Sequence, residues 1–444
     1  RAFPAEVARL ANNKVPSASQ GVMGDEHEGL KFLRSRALES EMWTLLNTAL
    51  LSEAKLLLQE GSGLATVMEK IVQAHHVGVV KGTTQSIGPG CLMQATLYAR
   101  SGQTHQAIAC CEQFLLHAVE DGNVTKSASL EDVLKAIHKQ AALLATAGHL
   151  NAAQTLFDKV PASILRVLKF QTQHQIQQEI LHARQMLRQK RLKHARISIE
   201  SLLKQFSHCD LDKQFFIKLL EVELVMRKGS LQQVIPLLDN LAIKLDIELN
   251  NDVMLKCKLL VLKAQVWARS GHAFKGFSLT MRAIEVAYKS RTLPALFDAI
   301  IALTHILNGA YEFEASKHVL TAIVPGVLEC ADCELTARTY AMLASCHAGQ
   351  AGLASGHQSD DAIMQKRKSG GNIANNKQKE LMSVAVEYLE KAIDQWKFIE
   401  DVDGQLNALS KKAKIFAWRG DVKLADEVAE QYIELHKQYT AEAV

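Results

Sequence analysis

The residues that could most readily do chemistry are cysteines and histidines around position 330. Cys330 and Cys333 are separated by two residues, with His318 upstream and Cys346-His347 downstream. A structural zinc ion takes four converging ligands, usually from two such pairs. The chain supplies one Cys-x-x-Cys pair, within a segment of helical periodicity. The sequence therefore favours cysteines that pack between helices, and no metal or cofactor is predicted.

A second group of candidate residues is a set of arginines at a recurring place. Each lies two residues before a turn position, at the end of a predicted helix: Arg100, Arg188, Arg227 and Arg269. If the helices stack, these side chains align as a basic stripe along a concave groove, where an acidic segment of a partner would bind. The alternative is a simple helix-end cation, which the helix dipole favours by about 0.3 to 1 kcal/mol.

The third candidate is a basic cluster, Lys366-Arg367-Lys368, in a stretch without helical periodicity. An interval of this length between two helices of a compact array is typical of a functional or disordered loop. We predict a mobile insertion at 349–380 whose basic cluster is a localisation signal or an electrostatic contact. The alternative is an ordinary solvated charge run.

The elements that would position these residues follow one pattern, clearest between Lys258 and Ala287. Apolar residues at three- and four-residue spacing predict one helix, and Gly271 ends it. The apolar face of a second helix then consists of Phe274, Phe277, Met281, Ile284 and Ala287. Because a single helix pair cannot bury such a face alone, neighbouring pairs are expected to stack and cover it.

Segments of this kind recur about every 40 residues along the chain. Most have a small residue about five positions after the turn: Ala107, Ala153, Ala195, Ala315 and Ala425. These spacings resemble tetratricopeptide repeats from about Cys91 onward, with longer helices than the minimal repeat; HEAT-like and proteasome-lid-type arrays are the alternatives. The predicted fold class is all-α, an α-solenoid of tetratricopeptide-like helix pairs in a right-handed superhelix.

Composition agrees with an all-helical, intracellular protein. Aromatic residues make up 6%, the formal net charge is +4, and no apolar run is long enough to span a bilayer. We therefore expect neither a membrane nor direct nucleic-acid partner. The predicted organisation is an irregular helical segment at 1–90 with a linker at 14–29, repeats at 91–348, the insertion at 349–380, and C-terminal repeats at 381–444.

From Val286 onward the chain resembles the C-terminal repeats of the subunit-five family of the anaphase-promoting complex, or cyclosome. The resemblance is carried by AYKSRTLPALFDAIIALTHILNGAYEFEASKHVLTAIVPGVLECADCELTARTYAMLASCHAGQAG, then the insertion, then SVAVEYLEKAIDQWKFIEDVDGQLNALSKKAKIFAWRGDVKLADEVAEQYIELHKQY. The resemblance implies that the chain is a non-catalytic scaffold of a cullin-RING ubiquitin ligase in the nucleus and cytoplasm. That ligase marks cell-cycle regulators for degradation during mitosis. The implied partners are the large subunit one, subunit four and small accessory subunits. No catalytic residue is carried over.

Two other functions are open from the sequence. A tetratricopeptide-repeat adaptor of the co-chaperone or transcription-regulator type would bind one short peptide in its groove. An enzyme would need a polar pocket, for which the sequence offers no motif, and no small-molecule substrate is predicted.

Overall fold

The computed structural model describes residues 26–82, 87–120, 123–125, 128–205, 211–248, 252–353 and 376–441. Within these ranges the chain forms 20 helices and one short hairpin. The first ten helices are α1 (Glu26–Glu39), α2 (Trp43–Glu60), α3 (Leu64–Val80), α4 (Ile87–Arg100), α5 (Thr104–Ala118), α6 (Leu130–Thr146), α7 (Leu150–Asp158), α8 (Ala162–Leu165), α9 (Leu168–Arg188) and α10 (Leu192–Gln205).

The remaining helices continue the same alternation. They are α11 (Leu211–Arg227), α12 (Leu231–Glu248), α13 (Val253–Arg269), α14 (Ala273–Lys289), α15 (Leu293–Gly309), α16 (Phe313–Glu329), α17 (Cys333–Gln350), α18 (Asn376–Phe398), α19 (Val402–Arg419) and α20 (Val422–Ala441). The hairpin consists of β1 (Val119–Glu120) and antiparallel β2 (Asn123–Val124), with Val119 opposite Val124.

The repeat length agrees with the sequence period. Helices α13, α15 and α17 begin at Val253, Leu293 and Cys333, at 40-residue intervals. A turn closed by a left-handed residue joins the two helices of each pair: Gly271 has φ +81°. Lys190 replaces glycine in its turn and still adopts φ +61°, a conformation that costs a non-glycine residue about 1 to 2 kcal/mol.

The helices form two layers. Helices α2, α4, α6, α9 and α11 contact one another in succession, as do α13, α15 and α17, so these alternate helices make an inner layer. Helices α3, α5, α10, α12, α14 and α16 contact mainly their neighbours along the chain and make an outer layer. This arrangement confirms the predicted all-α solenoid of helix pairs.

The described part of the predicted N-terminal segment joins the same stack. Helices α2 and α3 pack as a pair, and α2 also contacts α4. The long apolar stripe between 30 and 59 is divided between two helices, because α1 ends at Glu39 and α2 begins at Trp43. The break contains Glu41, which has φ +51°. No helix in the described ranges is both long and apolar enough to cross a membrane.

Candidate functional site in the inner channel

All four predicted arginines lie at the same place in the fold. Arg100, Arg188, Arg227 and Arg269 are the last residues of α4, α9, α11 and α13, all inner-layer helices. Three of the four side chains contact carboxylates from a distant part of the chain, and the fourth lines a cavity. The space that these four side chains line is called the inner channel below.

Arg100 contacts Asp252, the residue that immediately precedes α13. Its Nη2 lies 3.9 Å from Oδ2 of Asp252, and its Nη1 donates to the carbonyl of Leu58. Asp252 is also the N-cap of α13, where its side chain accepts from the backbone N–H groups of Met254 and Leu255 at 2.9 and 3.2 Å. Burial lowers the pKa of Arg100, an effect that Asp252 partly offsets.

Arg188 meets the start of α17 in the same way. Its Nη2 donates to Oε2 of Glu334 at 2.9 Å, across 146 residues of sequence. Burial acts to raise the pKa of Glu334, but the positive charges of Arg188 and Arg338 outweigh it and bring this pKa to about 2. Asp332, the N-cap of α17, accepts from the N–H of Leu335 at 3.0 Å, and burial together with Glu334 raises its pKa to about 6.

Arg227 makes the most extensive contact. Its Nη2 donates to Oδ2 of Asp401 at 3.0 Å, and its Nη1 lies 3.4 Å from Asp403. Its Nε also donates to Glu223 at 3.1 Å. Asp401 is the N-cap of α19 and lies 174 residues away in sequence. These carboxylates outweigh the effect of burial and raise the pKa of Arg227.

Arg269 is different from the other three. Among the described residues no carboxylate forms an ion pair with it, and the charges that act on it are those of Arg338 and Arg227. It lines a cavity of about 180 Å³ together with His305, Arg338, Met342 and Trp396. Burial lowers the pKa of Arg269, and the nearby charge of Arg338 adds to this effect. The channel is therefore basic at this point, while the other three arginines are neutralised by the chain itself.

His305 lies among these cations on α15. Desolvation by the surrounding protein lowers its pKa to about 4, and the positive charges of Arg269, Lys411 and Arg338 act in the same direction. The side chain itself is still accessible to solvent. Arg338 is itself held by Asp298, whose Oδ1 accepts from Nη1 at 2.6 Å. Lys411 donates to Oγ of Ser345 at 2.9 Å. At neutral pH the imidazole is uncharged and lines the wall of the cavity.

Further contacts join the same two parts of the chain. Glu400 accepts from the side-chain amides of Gln185 and Gln189 at 3.0 and 2.6 Å. Lys190 lies 3.2 Å from Asp403. Thr104 donates to the carbonyl of Cys330 across 226 residues. Together with the arginine contacts, these links join the turns of the first eleven helices to the helix N-termini of the later ones.

The contacts between the early turns and the later helix N-termini are called the seam below. Cys330 and Cys333, the cysteines considered for zinc, lie in it. A methyl group added to Gly102 would lie 2.7 Å from Sγ of Cys330, and one added to Gly148 would lie 3.1 Å from Sγ of Cys333. Both thiols are thus packed against turn glycines of a separate solenoid turn. Within the described ranges no group of three or more His, Cys, Asp or Glu side chains is placed to hold a metal ion.

Sequence reasoning found the arginines but missed their carboxylate partners. Three helices begin after an aspartate N-cap, namely Asp252, Asp332 and Asp401. Aspartate is a common N-cap for local reasons, so the pattern alone does not signal an ion pair. The basic cluster Lys366-Arg367-Lys368 lies outside the described residues.

Comparisons with known proteins give likenesses among solved structures. No protein-family profile and no curated protein matches the chain. A Rap protein complexed with competence and sporulation factor is 10% identical, covering 79% of this chain and 98% of its own, with a TM-score of 0.48. A monomeric IFIT1 mutant with the capped RNA m7Gppp-AAAA is 14% identical, covering 79% of this chain and 69% of its own, at 0.39. The TPR domain of P58(IPK) is 14% identical, covering 88% and 98%, at 0.25.

Proposed function

We propose that this chain is a non-catalytic scaffold subunit of a multi-subunit cullin-RING E3 ubiquitin ligase of the anaphase-promoting-complex type. In this role it holds other subunits in position for the ubiquitination of cell-cycle regulators, in the nucleus and cytoplasm. The resemblance from Val286 onward supports this assignment, and it names the partners as the large subunit one, subunit four and small accessory subunits.

The observation that carries the proposal is the set of ion pairs across the inner channel. An adaptor that captures a peptide in its groove must leave the charged groups of that groove free for the peptide. Here Arg188 and Arg227 are bound to Glu334 and Asp401, which lie 146 and 174 residues away in the same chain. Their side chains are 7% and 15% exposed. Such links hold one solenoid turn against another, as a rigid support requires.

The proposal is tested by recovering the complex from cells. The full chain is tagged at its chromosomal locus and purified, with the tag alone as the control. We expect mass spectrometry to identify a cullin subunit, a RING subunit and the large subunit one in stable proportion. The eluate should also ubiquitinate a cell-cycle regulator when E1, E2 and ATP are supplied. A purification that recovers none of these subunits contradicts the proposal.

The cavity beside Arg269 favours a second candidate function, a peptide-binding adaptor. Arg269, Arg338 and His305 line this cavity, and Arg269 has no carboxylate partner in the part of the chain that the structure describes. An adaptor would place an acidic side chain of a short peptide there. In that case the isolated chain binds one short acidic peptide, and Arg269→Glu abolishes binding; a scaffold shows no such dependence on Arg269.

A further inference from the structure

Helix α14 carries its large apolar side chains on the outside of the solenoid. Phe274 is 87% exposed, Phe277 41%, Met281 45% and Tyr288 58%. These residues are three, four and seven positions apart along the helix, so they lie on one face. Single exposed apolar residues are normal on protein surfaces, but a continuous row of aromatic and methionine side chains is typical of an interaction site.

The buried face of α14 explains why the large apolar side chains are on the exposed side. It consists of small residues, and Thr280, Ala283 and Ala287 are fully buried. A methyl group added to Gly276 would lie 3.0 Å from the carbonyl oxygen of Ala264 on α13. The helix is therefore seated closely on its neighbours, and a phenylalanine does not fit between them. The exposure of the apolar row is fixed by the packing beneath it.

A basic row runs beside the apolar row. Lys275, Arg282 and Lys289 are spaced seven residues apart, which places them along one flank of the exposed face. Nζ of Lys275 lies 4.5 Å from the centre of the Trp267 ring, and Nζ of Lys289 lies 2.5 Å from Oε1 of Glu285. Arg282 is exposed. With Glu285 included, this edge has three cations and one carboxylate, so the apolar ridge is bordered by an edge of net positive charge.

We propose that the outer face of α14 binds an amphipathic helix of a partner protein whose apolar seam is flanked by a row of Asp or Glu. From Phe274 to Tyr288 the ridge is about 21 Å long, at 1.5 Å per residue, which matches about four turns of a partner helix. The acidic row would meet Lys275, Arg282 and Lys289. The proposal rests on the scaffold function, since it names the kind of surface by which a neighbouring subunit attaches.

Two other occupants fit the surface less well. A second copy that docked face to face through the same helix would bring another basic row, Lys275, Arg282 and Lys289, against this one. A membrane surface attracts basic amphipathic helices, but Glu285 lies among the apolar residues of this face with a side chain 59% exposed. A carboxylate at that place opposes insertion into lipid, because the charge would lose its water there.

The test uses the purified full chain and two designed helical peptides. Both peptides have the same leucine seam, flanked by glutamates in one and by lysines in the other. Fluorescence anisotropy should show saturable binding of the glutamate peptide and at least about tenfold weaker binding of the lysine peptide. The double variant Phe277→Ser with Met281→Ser should lose binding. Ile243→Ser, an exposed apolar residue of α12, is the matched control and should bind as the original chain does.

The second part of the binding experiment reverses the charge of the basic row. The triple variant Lys275→Glu, Arg282→Glu, Lys289→Glu should prefer the lysine peptide. The proposal is overturned if both peptides bind alike, if the serine variants bind unchanged, if the chain dimerises through this face in light scattering, or if it binds anionic vesicles in preference to the peptide. These arms need no ligase subunit, so their failure and a failed recovery of the complex are separate results.

Discussion

Arginine at the end of an inner helix has two roles in this chain. At Arg227 the guanidinium lies near the carbonyl end of α11 and also between the carboxylates of Asp401, Asp403 and Glu223. The helix dipole alone accounts for the first role and is worth about 0.3 to 1 kcal/mol. The second role joins two distant parts of the molecule, and removing one partner of such a pair costs about 3 to 5 kcal/mol when the site is buried.

The positions of these arginines were predictable, but their partners were not. A turn every 40 residues identifies the helix ends, and hence Arg100, Arg188 and Arg227. The carboxylate that each one meets depends on how far the solenoid curves between them. Curvature accumulates from small rotations at every helix pair, so no local pattern encodes it. The use of Arg269 as a partner contact stays a prediction.

We expect the stability of the chain to depend on pH through His305. Its pKa is lowered from 6.5 to about 4 in the folded chain, so between these values the unfolded chain binds more protons than the folded one. Stability contributed by the neutral imidazole is therefore present above pH 6.5 and is lost as the pH falls towards 4. We expect His305→Gln to reduce the loss of stability between pH 7 and pH 5, because glutamine does not titrate.

The measurement is the urea midpoint of the original chain and of His305→Gln at both pH values. Arg269, Arg338 and Lys411 remain in both proteins, so the difference isolates the imidazole. An identical pH dependence in the two proteins would show that His305 is freely hydrated rather than enclosed by the channel.

At the scale of elements, the hairpin of α13 and α14 shows what periodicity can and cannot establish. The sequence predicts both helices and the turn at Gly271, and the structure confirms them. On the predicted apolar face of α14, Ala287 is buried, but the expectation that stacking covers Phe274, Phe277 and Met281 is wrong. Hydrophobic periodicity identifies the more apolar face of a helix, but close packing against α13 requires the smaller residues, which are on the other face.

Small residues at helix crossings give an element-scale prediction. Ala107 of α5 is fully buried and packs with Ala95 and Cys111. Ala107→Leu should overpack this contact and lower stability by about 1 to 3 kcal/mol. Ala109 lies on the exposed side of the same helix, so Ala109→Leu is the matched control and should melt close to the original chain. Equal melting temperatures for the two variants would mean that the assigned crossing residue is wrong.

At the scale of the whole molecule, the chain is more than a linear array. In a simple solenoid each repeat contacts only its neighbours, and stability is a sum of local terms. Here the early turns are tied to the starts of the late helices, through contacts such as Thr104 with Cys330 and Gln185 with Glu400. Removing one of these contacts is therefore expected to lower the stability of both parts of the chain that it joins. We regard this closure as what makes the chain suitable as a rigid support.

The most direct test of this closure is a zero-length crosslink on the unmodified full chain. A carbodiimide joins a lysine amine to a carboxylate only when the two are in contact, and Nζ of Lys190 lies 3.2 Å from Oδ1 of Asp403. Both side chains are partly exposed, at 36% and 29%, and so are open to the reagent. We predict that mass spectrometry finds an intramolecular link between Lys190 and Asp403. Crosslinks confined to neighbouring helix pairs, with none across this seam, would contradict the account.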